Sequence, residues 1–292
     1  MKSKPRKIRL TDKRKNWAES RNVTLKGTPL KPNERSMQRD VDKVESEFDK
    51  MARDVSREVT KLFNSNLAKE SVAMDASISS QLNIIMNALD KKWNKRFIAF
   101  SKAFSDQMVK RQVKDSSRDL RTSLEKLSGG ASINTNTVSK RTSDIAKASI
   151  EQSSSLIKSI ESNYIAEVRE GLMRSIVDSS QNFTSLKDSV QSVLSGRYKF
   201  HKNKAKNLVL DQTRKAYQSI SDSKMRDAGV TRYEWVHTGG GKQARSYHRD
   251  VLDGQIFDLN DPPVINQKTG EKGHPGDAIN CRCIKRPVVE FG

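Results

Sequence analysis

The sequence predicts a mainly α protein, an elongated helical bundle that carries a small C-terminal α+β domain. Three observations carry that reading. Apolar residues from position 41 onward recur at steps of three and four, the spacing that gathers them on one side of a helix. After Gly229 the spacing shortens to two, the period of a strand. Residues 232–291 hold three of the four histidines, both cysteines, half of the fourteen glycines and four of the seven prolines, so turns and chemistry-bearing side chains are concentrated there.

Residues 1–40 carry thirteen Lys/Arg against four Asp/Glu and three prolines, with almost no apolar periodicity. Composition of that kind predicts a disordered basic arm, with Lys2, Lys4, Arg6, Lys7, Arg9, Lys13, Arg14 and Lys15 as its candidate phosphate contacts. Val41, Val44, Phe48, Met51, Val55, Val59 and Leu62 then form one narrow stripe, which needs a partner helix. Ile78, Leu82, Ile85, Leu89, Trp93, Phe97, Phe100 and Phe104 mark a second helix that Ser128, Gly129 and Gly130 end. Aromatic residues at that spacing read as packing rather than as a platform for stacked bases. A third helix is predicted over 143–179, a short one over 184–195 that Gly196 can cap, and a last long one over 202–228 that Gly229 stops. The bundle region is thus 41–198 and the C-terminal domain 199–292.

Within that domain Tyr233, Trp235 and His237 alternate as a strand, and the three glycines at 239–241 turn the chain. A short helix is expected over 245–252, a tight turn at Asp253 and Gly254, and a strand over 255–259. A long loop should fill 261–277. A final strand over 283–291 contains Pro287, which favours a sheet edge.

A net charge of +20 in 292 residues calls for an acidic partner, since such a surface attracts phosphate polyanions and releases their counterions. Nucleic acid fits better than an anionic membrane, because no run of about 18 apolar residues is present. The positive N-terminus lacks the apolar segment of a secretion signal. The two cysteines, spaced as Cys281-Arg282-Cys283, are too few for a disulfide framework and read as thiols, free or bound to metal.

Cys281 and Cys283 project to one face of an extended segment, and with His248 and His274 they could close a tetrahedral structural zinc site. The same residues could equally be small buried side chains with a hydrogen-bonded histidine. A hydrolytic alternative groups His248, Asp250, Asp253, His274 and Asn280 as a one-metal nuclease site. Arg245, Asp253 and Arg282 read as loop staples through an arginine–carboxylate pair. Phosphate-binding glycine loops, Gly-x-Ser-x-Gly and His-Glu-x-x-His are absent.

The order of these features resembles the phage Mu protein F-like and SPP1-type head morphogenesis, or minor head, proteins. The residues that carry the resemblance are Trp235, Arg245, His248, Asp253, Gly254, His274, Pro275, Asn280, Cys281, Arg282 and Cys283. It covers roughly 202–289 and departs from some members in having no Cys-x-x-Cys before the Leu-Asp-Gly turn and four residues between Gly-His-Pro and Asn-Cys-Arg-Cys. The resemblance implies a non-enzymatic, low-copy component of a tailed-phage head, acting in capsid assembly near the portal. Its partners would be the portal, other capsid proteins and double-stranded DNA, with no membrane. Its place would be the capsid interior of the virion, and the host cytoplasm during assembly.

Overall fold

A computed structural model of the chain describes residues 16, 24–67, 78–130, 134–178, 183–239 and 245–289. It is mainly α with a small C-terminal sheet region. The long helices are α1 (Glu34–Leu67), α2 (Ile78–Ser128), α3 (Lys140–Val177) and α4 (Phe183–Asp227). The strands are β1 (Leu25–Lys26), β2 (Arg232–Val236), β3 (Ile256–Asp258), β4 (Val264–Asn266), β5 (Glu271–Lys272) and β6 (Ile284–Val289), and a π-helical turn, α5 (His248–Leu252), lies between β2 and β3.

The chain divides into two compact units, one of residues 38–105 and 151–209, the other of residues 1–37, 106–150 and 210–292. All four long helices contribute residues to both, and the boundary expected at 198/199 falls inside α4.

In the first unit the apolar stripes of all four helices meet. Val41, Val44, Phe48, Met51, Val55, Val59 and Leu62 of α1 are buried, as are Leu82, Trp93 and Phe97 of α2 and Ile157, Tyr164 and Leu172 of α3. The Phe48 ring stands edge-on to Tyr164 at 5.1 Å and stacks on Tyr198 of α4 at 5.9 Å. Some polar side chains entering this core are paired. Asp54 accepts the Trp93 indole N–H at 2.9 Å and pairs with Lys92 at 2.6 Å, and Ser101 and Ser154 share a hydrogen bond at 3.2 Å. Gly171 lets α4 come close, since a Cβ there would meet Val193 Cγ1 at 2.8 Å.

One expectation fails here. The short helix and the last long helix are one, α4, running unbroken through Gly196. Glycine costs a helix interior about 1 kcal/mol, and burial of Val190, Leu194, Ala205 and Val209 on the same helix outweighs it.

The second unit packs a four-stranded antiparallel sheet, ordered β1-β6-β2-β3, on apolar residues of α2 and α4. Leu30, Leu120, Leu124, Tyr217, Met225, Tyr233, Trp235, Leu259 and Ile265 form its core together with both cysteines. Tyr217 reaches out of that core to donate to Asp119 at 2.8 Å.

Three further expectations are corrected. Within the span read as a disordered arm, residues 24–40 are built in: Leu25 pairs with Val289, the Leu30 N–H donates to the Lys285 carbonyl at 2.7 Å, and α1 begins at Glu34 behind an Asn33 cap. The low apolar content hid this, because two buried leucines at 25 and 30 suffice to close the sheet. The loop expected over 261–277 contains the β4–β5 hairpin. Pro287 lies in an interior strand rather than at an edge. Its carbonyl accepts from Gly27 at 2.9 Å, and a strand residue directs N and O to the same neighbour. The missing N–H therefore faces the two-residue β1 and removes nothing from the ladder with β2. The arm cations Lys2, Lys4, Arg6, Lys7, Arg9, Lys13, Arg14 and Lys15, and the turn at 240–241, lie outside the described residues.

Candidate metal centre

The site is built where β2 ends and β6 begins. In the β2–β6 register Val236 faces Ile284, so one step on His237 faces Cys283. Period two puts His237 on the same side as the fully buried Trp235. On the β6 side, Asn280 adopts a positive φ of 58°, which asparagine tolerates better than most side chains. Its amide donates to Asp211 of α4 at 2.8 Å, and the Cys281 amide donates to the Ala278 carbonyl at 2.9 Å. The backbone then runs extended, burying Cys281 and Cys283 and leaving Arg282 exposed.

His248 opens the α5 turn and is 2% exposed. Its Nε2 lies 2.9 Å from the Ile265 carbonyl, so that nitrogen carries the proton, and Nδ1 turns a lone pair toward the sulfurs. Nδ1 is 3.6 Å from Cys281 Sγ and 3.9 Å from Cys283 Sγ. Among the described residues, His248, Cys281 and Cys283 are the one group of three His, Cys, Asp or Glu side chains whose donor atoms lie close enough to hold a metal ion, all within 4.8 Å.

Both cysteines are free thiols. The hydrogen bond from Cys283 holds the Cys281 thiol down at about 4, with His248 adding to the effect against burial. That same bond, with burial, pushes Cys283 up. Burial opposes charge on His248, but its contacts with Cys281 and the Ile265 carbonyl outweigh it and raise its pKa. One negative charge is thus held between the two sulfurs beside an imidazole.

The expected zinc ligand His274 is elsewhere. Its Nδ1 is 3.1 Å from the Tyr233 hydroxyl and its amide donates to Asp277 at 2.7 Å. Burial, then Lys285, lowers its pKa to about 4, so the ring is neutral. Its short sequence distance from the cysteines suggests it as a ligand, whereas His237, which the sequence does not single out, approaches Cys283 with Nδ1 at 3.5 Å. The signal for His237 was there in the alternation Tyr233, Trp235, His237, but using it needs the register of β2 on β6.

The hydrolytic grouping is not assembled as one cluster of donors. Asp250 pairs with its neighbour Arg249 at 2.7 Å, and Asp253 accepts the His237 amide at 2.7 Å. The loops are stapled by hydrogen bonds to backbone carbonyls. Arg245 donates to the Ile279 carbonyl at 3.0 Å, Thr238 donates to the Arg282 carbonyl at 2.9 Å, and the Gly254 amide donates to Trp235 O at 2.8 Å.

No family model matches this chain. No solved structure matches it either. It is similar to a Haemophilus influenzae (strain ATCC 51907 / DSM 11121 / KW20 / Rd) protein described as an uncharacterized protein, with 30% identity over 135 residues. The matched stretch is 46% of this chain and 27% of that relative, so the chain spans little more than a quarter of the relative's length.

Proposed function

We propose that the chain is a non-enzymatic minor head protein of a tailed phage, which assembles near the portal and holds DNA through positive charge. The observation that carries this reading is how the resemblance residues are used. Asp253 and Gly254 bind the end of β2, Arg245 reaches the loop before the cysteines, and Asn280 ties that loop to α4. His248, Cys281 and Cys283 are buried among them. The motif's polar and thiol groups lock one module together, as an assembly part requires. The net charge of +20 suits a partner made of phosphates. No helix among the described residues is long and apolar enough to cross a membrane.

On this reading the protein works in the host cytoplasm during assembly and resides in the capsid interior. Co-expression with a portal ring tests it, the expected result being co-purification that survives nuclease treatment. A chain that never associates with portal or procapsid would refute it. Removal of residues 1–23, which stops short of β1, tests the DNA contact. If all eight named cations engage phosphates, the slope of log affinity against log salt falls by up to about 7 on their loss. An unchanged slope would take the arm out of the account.

A further inference from the structure

We propose that the C-terminal unit binds one zinc ion through Cys281, Cys283, His248 and His237, as a closed structural site. This stands independently of the head-assembly reading.

The donor distances fit a single ion. With bonds of about 2.3 Å to sulfur and about 2.0–2.1 Å to nitrogen, a tetrahedral zinc sets its sulfur and nitrogen donors about 3.5 Å apart. The separations are 3.6 Å and 3.9 Å from His248 to the two sulfurs, and 3.5 Å from His237 to Cys283. The donors also converge. His248 has one lone pair to offer, because its other nitrogen serves Ile265, yet it faces two sulfurs. Cys283 in turn faces two imidazoles. Pairwise hydrogen bonds account for these contacts one at a time, whereas a single central ion accounts for all of them together.

The surroundings fit as well. A ligating histidine ordinarily gives its second N–H to a carbonyl or carboxylate, as His248 does to Ile265 of β4. Two thiolates cancel the charge of a divalent ion, so the loaded site is neutral in the core that holds Trp235 and Leu252. Two thiolates and two imidazoles in a tetrahedral set favour zinc among divalent metals.

His237 touches Cys283, lies outside the three-residue group and follows the end of β2, half-buried. It is therefore the ligand whose loss the fold tolerates best, and it decides between a closed site and an open one with water in the fourth position. The experiment is metal analysis of the full chain purified without chelator, followed by zinc titration and cobalt(II) spectra of wild type, His237→Ala and His274→Ala, with helix content checked by circular dichroism. The expected result is about one zinc per chain and a four-coordinate cobalt spectrum. His237→Ala should weaken affinity by more than the roughly 10–100-fold that loss of a supporting group costs and change the cobalt spectrum, while His274→Ala alters neither. Less than about a tenth of an equivalent of zinc, or a His237→Ala chain with unchanged affinity and spectrum, overturns the proposal.

Discussion

Replacing Lys285 with methionine should be among the most damaging single changes in the C-terminal unit. The Lys285 ammonium is 0% exposed and lies 2.6 Å from the Asp222 carboxylate, itself 9% exposed. It also sits 5.7 Å from the centre of the Tyr233 ring. Burial already raises the pKa of Asp222, and Lys285 is the largest influence holding it down, ahead of Arg226 and Arg141. Methionine keeps the apolar stem and removes the charge. The carboxylate must then stay ionised against weaker cations or take up a proton. Breaking one side of a buried pair costs about 3–5 kcal/mol, whereas replacing both sides with well-packed apolar groups is often neutral or stabilising. Urea denaturation at pH 7, with amide exchange in β2 and β6 as the local probe, should show a loss in that range for Lys285→Met. The double variant with Asp222→Leu should recover most of it. A single variant within about 1 kcal/mol of wild type, or a double variant no better than the single, would refute the reasoning.

Two further outcomes follow from particular residues. Gly196 is exposed inside α4 with nothing within 4 Å of a Cβ placed there, so Gly196→Ala should stabilise the chain by about 0.5–1 kcal/mol, read as a raised urea midpoint; a loss of stability would mean that the helix is not continuous. Burial, with Asp90 beside it, pushes Glu161 of α3 up to about 7 from its ordinary 4.5. Between those values the folded chain keeps a proton that the unfolded chain has released, so stability falls as pH rises through that window. Glu161→Gln should abolish this fall, giving a gain on the order of 1–3 kcal/mol at pH 8 and little at pH 4. Parallel stability curves across that range would count against it.

The sequence made the helices legible where a stripe was buried along its whole length, as in α1. It misled where local chemistry and tertiary packing disagreed: Gly196 reads as a stop, but Leu194 and Ala205 hold the helix through it. Residues 24–40 read as an arm because their charge outnumbers two leucines, and those leucines become structural only once β6 is beside them. At the candidate metal centre, Cys281, Cys283 and His248 were legible from donor type and spacing. His237 was not, because it reaches Cys283 across a strand pairing, and His274, adjacent in sequence to the cysteine loop, is taken by Tyr233.

On the head-assembly proposal this chain is a part of a virus particle. Mass spectrometry of purified, nuclease-treated tailed-phage particles, from the phage that encodes it, tests this most directly. The expected result is peptides of the chain at low copy relative to the major capsid protein, retained after washing in high salt. Particles that are complete and infectious yet contain none of it would contradict the account.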